Sequence, residues 1–145
     1  MCDYFIDTSA LFKRYIPEEG TGELDVIFKN AKTFYISDIT IIEVLSNLKR
    51  KNEISKEISK EVYQNIKSEF LRDIADGNIR TTAVVSATII EVINLLDQEY
   101  ITPIDSIQLS AALKLNTDPA NTVFVCSDRK LEALARRHGL KSVII

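Results

Sequence analysis

Thr122-Val123-Phe124-Val125-Cys126-Ser127-Asp128 is an apolar run that stops at a hydroxyl and an acid. A strand covered on one face alternates apolar with polar residues, whereas a strand buried on both faces is apolar throughout, as in parallel sheets. Ser127-Asp128 then opens a helix that runs to Arg137 and closes at Gly139, and Ser142 to Ile145 reads as a last strand. The same grammar stands near the amino terminus. Tyr4-Phe5-Ile6 is a short apolar run ended by Asp7-Thr8-Ser9, and Ala10, Leu11, Phe12 and Tyr15 continue it as a helix until Pro17.

Between these ends, Glu18 to Gly22 reads as a loop, Leu24, Ile27 and Phe28 as a short helix, and Thr33 to Ile36 as a strand. Ser37-Asp38 opens a helix from about Ile39 to Arg50. From Ile54, the residues Ile58, Val62, Ile66, Phe70 and Ile74 recur every fourth position, which predicts one long helix ending near Gly77. Four residues overshoot a helical turn by about 40°, so this stripe winds around the helix and part of it should face something other than the chain's own core. Ile79 to Val85 holds a short strand. Ser86 to Leu96 is a helix apolar around most of its circumference, to be buried or paired with another subunit. Thr102-Pro103 starts an alanine-rich helix through Leu115, and Asn116 to Asn121 is a loop. Strands alternating with helices argue for the α/β class, a parallel sheet covered on both faces, in one domain over residues 1–145.

Composition narrows the function. The 145 residues are 46% hydrophobic and 27% charged, ordinary globular usage, so the chain should fold. Cys2 and Cys126 have no paired spacing, which suggests neither disulfide nor zinc and fits a reducing cytoplasm. No run reaches the ~18 apolar residues of a membrane span, and no signal peptide is evident. The net charge of −3 is the wrong sign for general attraction to nucleic acid. A polyanion would need a local patch, for which Lys13, Arg14, Lys49, Arg50, Lys51, Arg129, Lys130, Arg136 and Arg137 are candidates, or a bound metal ion. Solvated helix faces explain most single cations as well. Four glycines form neither a phosphate-binding loop nor a dinucleotide turn. The one histidine, His138, lies at the end of a terminal helix and suits the helix dipole better than catalysis.

In open parallel sheets ligands bind at the carboxyl ends of the strands. Asp7 and Asp128 each follow a strand and should share that edge. Glu43, about two turns into its helix, and Asp105, in the first turn of its own, could reach it. Each acid also has a plain structural explanation. Thr102 to Asp105 is close to a capping box, Asp128 could cap a helix, Asp7 could start a turn, and Glu43 shares a stripe with Thr40, Asn47 and Arg50 as on a solvated face. Jointly, acids gathered in one cleft repel unless a cation neutralises them, and oxygen donors without Cys or His select Mg²⁺ or Mn²⁺.

Four landmarks together resemble the PIN domain, specifically toxins of the VapC type: Phe5-Ile6-Asp7-Thr8-Ser9-Ala10-Leu11, Ser37-Asp38-Ile39-Thr40-Ile41-Ile42-Glu43, Pro103 to Ala112 with Asp105, and Val123 to Leu131 with Asp128. The resemblance implies a three-layer α/β/α fold with a parallel sheet of four or five strands. It also implies that Asp7, Glu43, Asp105 and Asp128 are the catalytic, metal-binding acids of a Mg²⁺- or Mn²⁺-dependent ribonuclease. An RNA substrate, a homodimer and an antitoxin partner follow from the same likeness. Cys126 stands where such proteins often carry a hydroxyl, Ser127 should point to the other side of the strand, and Ser9 matches a small polar position beside the first acid. Two other readings stay open: an aspartate-based phosphotransfer enzyme or phosphatase with Asp7 as nucleophile, and a PIN-like binding module without turnover.

Overall fold

Alternation along each strand divides the side chains between two faces of one sheet. The computed structural model describes residues 2–115 and 121–145. Its strands are β1 (Asp3–Ile6), β2 (Thr33–Ser37), β3 (Arg80–Thr82), β4 (Thr122–Cys126) and β5 (Lys141–Ile144), all parallel, in the order β3-β2-β1-β4-β5. Tyr4, Ile6, Phe34, Ile36, Val123 and Val125 join one core cluster. Phe5, Tyr35, Phe124 and Cys126 join the other. The expected three-layer α/β/α architecture is present, with the upper count of five strands.

The first face is covered by α1 (Thr8–Tyr15), α2 (Thr21–Asn30), α3 (Asp38–Glu53) and α4 (Lys60–Ala75), which contribute Leu11, Leu24, Leu48 and Phe70. The second is covered by α5 (Ser86–Gln98), α6 (Pro103–Leu115) and α7 (Arg129–Arg137), through Leu95, Leu109 and Leu131. Each such fully buried leucine or phenylalanine contributes roughly 1.5–3 kcal/mol. In register, Phe5 sits opposite Phe124 and their rings stack at 6.0 Å. On the other face Phe34 stacks on Phe28 at 3.7 Å and on Tyr4 at 5.5 Å.

The helix after Ile54 differs from its sequence reading. α3 runs on to Glu53 and α4 begins only at Lys60, where Ser59 accepts a hydrogen bond from the Val62 N–H at 3.1 Å. The intervening turn carries Lys56 at φ 54°. A good cap therefore outweighs the continuing apolar stripe, and Ile54 is left 76% exposed. Within α4 the precession holds: Tyr63 and Phe70 are buried while Val62 is exposed. α2 also starts earlier than expected, at Thr21 directly after Gly20, whose φ of 95° suits glycine. The expected loop from Asn116 lies, up to Ala120, outside the described residues.

α5 is only half covered. Thr88, Val92 and Leu95 pack inward, while Ile89, Ile90, Ile93 and Leu96 are exposed. Of the two alternatives its sequence left, full burial is excluded. No helix among the described residues is long and apolar enough to cross a membrane.

Candidate active site

The strand order places the reversal of winding between β1 and β4, the point where open α/β sheets open a crevice. Asp7 follows β1 there, its N–H donating to the Val125 carbonyl of the neighbouring strand at 3.0 Å. It is also the N-cap of α1 and accepts from the Ala10 N–H at 3.1 Å. Asp128 caps α7, accepting from the amides of Lys130 at 2.7 Å and Leu131 at 3.1 Å. The capping explanation thus holds for Asp128, and Asp7, expected to start a turn, is a helix cap as well; neither role competes with the cleft, because a cap at a strand's carboxyl end faces it.

Asp7, Glu43, Asp105 and Asp128 all line one cleft of about 330 Å³, together with Thr8, Ser9, Phe12, Glu18, Asn47, Arg50, Lys51, Ile104 and Gln108. The stripe of Thr40, Glu43, Asn47 and Arg50 runs along the cleft: Thr40 is fully buried, Glu43 and Asn47 are half-buried in its wall, and Arg50 is exposed at its rim. At the start of α6 the Thr102 carbonyl accepts from the Ser106 N–H at 2.9 Å, and Asp105 lines the cleft. A groove of about 550 Å³ at the opposite edge of the sheet, among Arg14, Lys29, Lys32 and Arg80, contains none of the four acids.

Electrostatics mark Asp7. Its carboxyl is pushed up to about 6, chiefly by burial and further by the charge of Asp105, against the lowering pull of the Ala10 amide and the Ser9 hydroxyl. Ser9 Oγ lies 2.9 Å from both Asp7 oxygens and accepts from the Ser127 N–H at 3.3 Å. Ser9 thus supplies the hydroxyl contact that Cys126 cannot. The Cys126 thiol is fully buried and pushed up to about 12 by burial and then by Asp7, which leaves it inert at neutral pH. The Ser127 hydroxyl is buried without a partner and does not reach the acids.

Glu43 is held by residues that the sequence reading did not single out. Thr8 Oγ1 donates to Glu43 Oε1 at 2.7 Å, and Gln108 Nε2 lies 2.8 Å from Thr40 Oγ1, 3.2 Å from Thr8 Oγ1 and 3.3 Å from Glu43 Oε1. The available signal was a glutamine inside an apolar helix, three positions after Asp105 and hence on its face.

The donor set suits a hard divalent cation: oxygen only, anionic, and free of thiolate or imidazole. The acids line the walls of the cleft without closing into a cage, for among the described residues no three His, Cys, Asp or Glu side chains stand grouped closely enough to hold an ion. Most of the candidate basic patch is spent on pairs. Arg14 meets Asp73, Lys49 meets Glu53, Arg136 meets Glu132, and Arg137 meets Glu99. Lys13 binds the Glu19 and Ile145 carbonyls. Arg50 and Lys51 reach the cleft, Lys51 while paired to Glu57 at 2.6 Å. His138 caps the carboxyl end of α7 beside Glu99.

The PIN domain profile matches residues 4–137. No curated protein matches the chain in sequence. VapBC2 from Rickettsia felis, bound to a DNA fragment from its promoter, is similar with a TM-score of 0.67 and 17% identity over 99% of this chain and 98% of that one. VapC20 of Mycobacterium tuberculosis, a toxin cleaving the sarcin-ricin loop, has a TM-score of 0.65 and 13% identity over 90% and 94%. DNA-bound VapBC from Salmonella typhimurium has a TM-score of 0.63 and 15% identity over 99% and 98%. Identities this low speak for the fold. With nearly its whole length matched, the chain belongs to the PIN domain family, a family of nucleases, and has the fold of the VapC-type toxins.

Proposed function

We propose that this protein is a Mg²⁺- or Mn²⁺-dependent endoribonuclease, the toxin of a toxin–antitoxin pair. The observation that carries the reading is the arrival of four carboxylates from β1, α3, α6 and the α7 cap in one cleft at the sheet's switch point. Asp7, Glu43, Asp105 and Asp128 would draw together around a divalent cation, which would supply Lewis acidity and countercharge for a phosphodiester. It also resolves the sign problem of an acidic protein that must attract a polyanion.

The chain's own groups supply the rest. Without a cation the Asp7 carboxyl is pushed up to about 6 and can take up or release a proton at Oδ1 or Oδ2, whereas a bound dication would hold it ionised. Ser9 fixes both of those oxygens. Arg50, exposed at the rim and without an ion pair among the described residues, suits a phosphate of the substrate strand. Ile104 and Phe12 give the cleft apolar wall against which a base or sugar can rest.

Surfaces and neighbours support two protein partners. The exposed Ile89, Ile90, Ile93 and Leu96 face of α5 suits a second copy of the chain, and the DNA-bound VapBC assemblies among the similar structures support an antitoxin partner. Free Cys2 and Cys126 fit action in the cytoplasm. The test is cleavage of a structured RNA by metal-stripped protein with and without added Mn²⁺. Mn²⁺-dependent cleavage lost in Asp105→Asn is expected. Equal cleavage by Asp105→Asn would refute the assignment, and a stable acyl phosphate trapped on Asp7 would favour phosphotransfer instead.

A further inference from the structure

We propose that Gln108, with Thr8 and Thr40, is a positioning clamp for Glu43 and sets how tightly the cleft holds its divalent cation; this rests on the metal-dependent reading above. The four residues come from α1, α3 and α6, so the clamp ties together three of the elements that bring acids to the cleft. Gln108 is 1% exposed, and Thr40 is fully buried one turn before Glu43 on α3. The amide nitrogen faces three oxygens, those of Thr40, Thr8 and Glu43, within 3.3 Å. Reversing the amide would set its oxygen against the Glu43 carboxylate, which can only accept, so that partner dictates its orientation, whereas the two hydroxyls could pair with either end.

The other end of the amide shows that packing alone does not explain this side chain. Gln108 Oε1 is buried and has no hydrogen-bond partner, a cost that Met or Leu would avoid in a helix that buries Leu109, Ala111 and Ala112 as well as Ser106 and Ser110. What the glutamine provides is a second donor to Glu43 Oε1, beside the Thr8 hydroxyl. With Oε1 held twice, no protein hydrogen bond among the described residues engages Oε2, which is left to serve as a ligand. A carboxylate oriented before binding loses less rotamer freedom when the cation arrives, the usual effect of hydrogen bonds to metal ligands.

The test is Mn²⁺ titration of metal-stripped protein, with free Mn²⁺ followed by electron paramagnetic resonance and thermal midpoints measured alongside. Gln108→Met should weaken Mn²⁺ binding about tenfold or more while keeping the midpoint at or above wild type, because the orphaned oxygen leaves with the amide. Thr40→Ser, which keeps the hydroxyl, should bind Mn²⁺ close to wild type, and Thr40→Val should not. If Gln108→Met does not fold, the Thr40 pair makes the same comparison. Wild-type binding by Gln108→Met or Thr40→Val, with weakened binding in Glu43→Gln, would overturn the clamp and leave the metal site standing. Undiminished binding in Glu43→Gln, or no binding by wild type, would overturn the metal reading and the clamp with it.

Discussion

Replacing Asp7 by Asn should make the metal-free protein more stable and, in the same step, inactive. Asp7 is 6% exposed, and burial is the largest cause of its raised carboxyl. An acid whose pKa is higher in the folded than in the unfolded state holds its proton more tightly when folded. The folded state therefore loses stability as pH rises from 3.8, the ordinary value, through about 6, and loses no more above that. The displacement is about two pKa units, and at 1.36 kcal/mol each the ionised group costs at most about 3 kcal/mol at neutral pH. Asn keeps an oxygen for the Ala10 N–H, so the cap survives, and it removes the charge that Asp105 repels. Urea unfolding in chelator at pH 4, 5, 6 and 7.5 measures the difference. The advantage of Asp7→Asn should be small at pH 4, grow to about 1–3 kcal/mol by pH 6 to 7, and then level off. Saturating Mn²⁺ should stabilise wild type, by about 2.7 kcal/mol at a hundred times its dissociation constant, and stabilise the variant much less. A variant less stable than wild type at pH 7.5, or a difference independent of pH, would refute the reasoning.

Asp128 has two separable jobs, since it caps α7 and lines the cleft. Asp128→Asn should retain stability and lose RNA cleavage, whereas Asp128→Ala should lose cleavage and also about 1 kcal/mol in urea unfolding, because alanine cannot cap. Arg50→Ala should raise the KM for RNA with little change in kcat and flatten the dependence of binding on salt, which filter binding at several ionic strengths would measure. Ile90→Glu with Ile93→Glu should shift sedimentation from dimer to monomer while leaving the far-UV spectrum unchanged, because both side chains are more than half exposed.

The apolar runs at Tyr4–Ile6 and Thr122–Cys126 made the parallel sheet legible, because burial on both faces leaves no room for alternation. Asp7 and Asp128 were legible for a related reason: an acid within two residues of the carboxyl end of such a strand lies at the sheet edge where the crevice opens. Glu43 and Asp105 were not fixed by local pattern. Each lies on a helix whose rotation about its axis decides between solvent and cleft, and packing against the sheet sets that rotation. The turn between Ile54 and Ser59 was hidden because apolar spacing and the Ser59 cap gave opposite signals, and the cap prevailed. The Gln108 clamp was illegible because its partners lie 65 to 100 positions away in sequence. Among the basic residues the sequence could not separate Arg50 and Lys51, which line the cleft, from those with an acid or a carbonyl within reach, because such pairing depends on the fold.

On the reading proposed above, the carboxylates at the switch point form a divalent metal site. Crystals soaked in Mn²⁺ and measured at the manganese edge address it directly. An anomalous peak in the cleft, bonded by carboxylate oxygens from at least two of Asp7, Glu43, Asp105 and Asp128, is the expected result. A peak bonded elsewhere, with the four acids unengaged at saturating Mn²⁺, would contradict it.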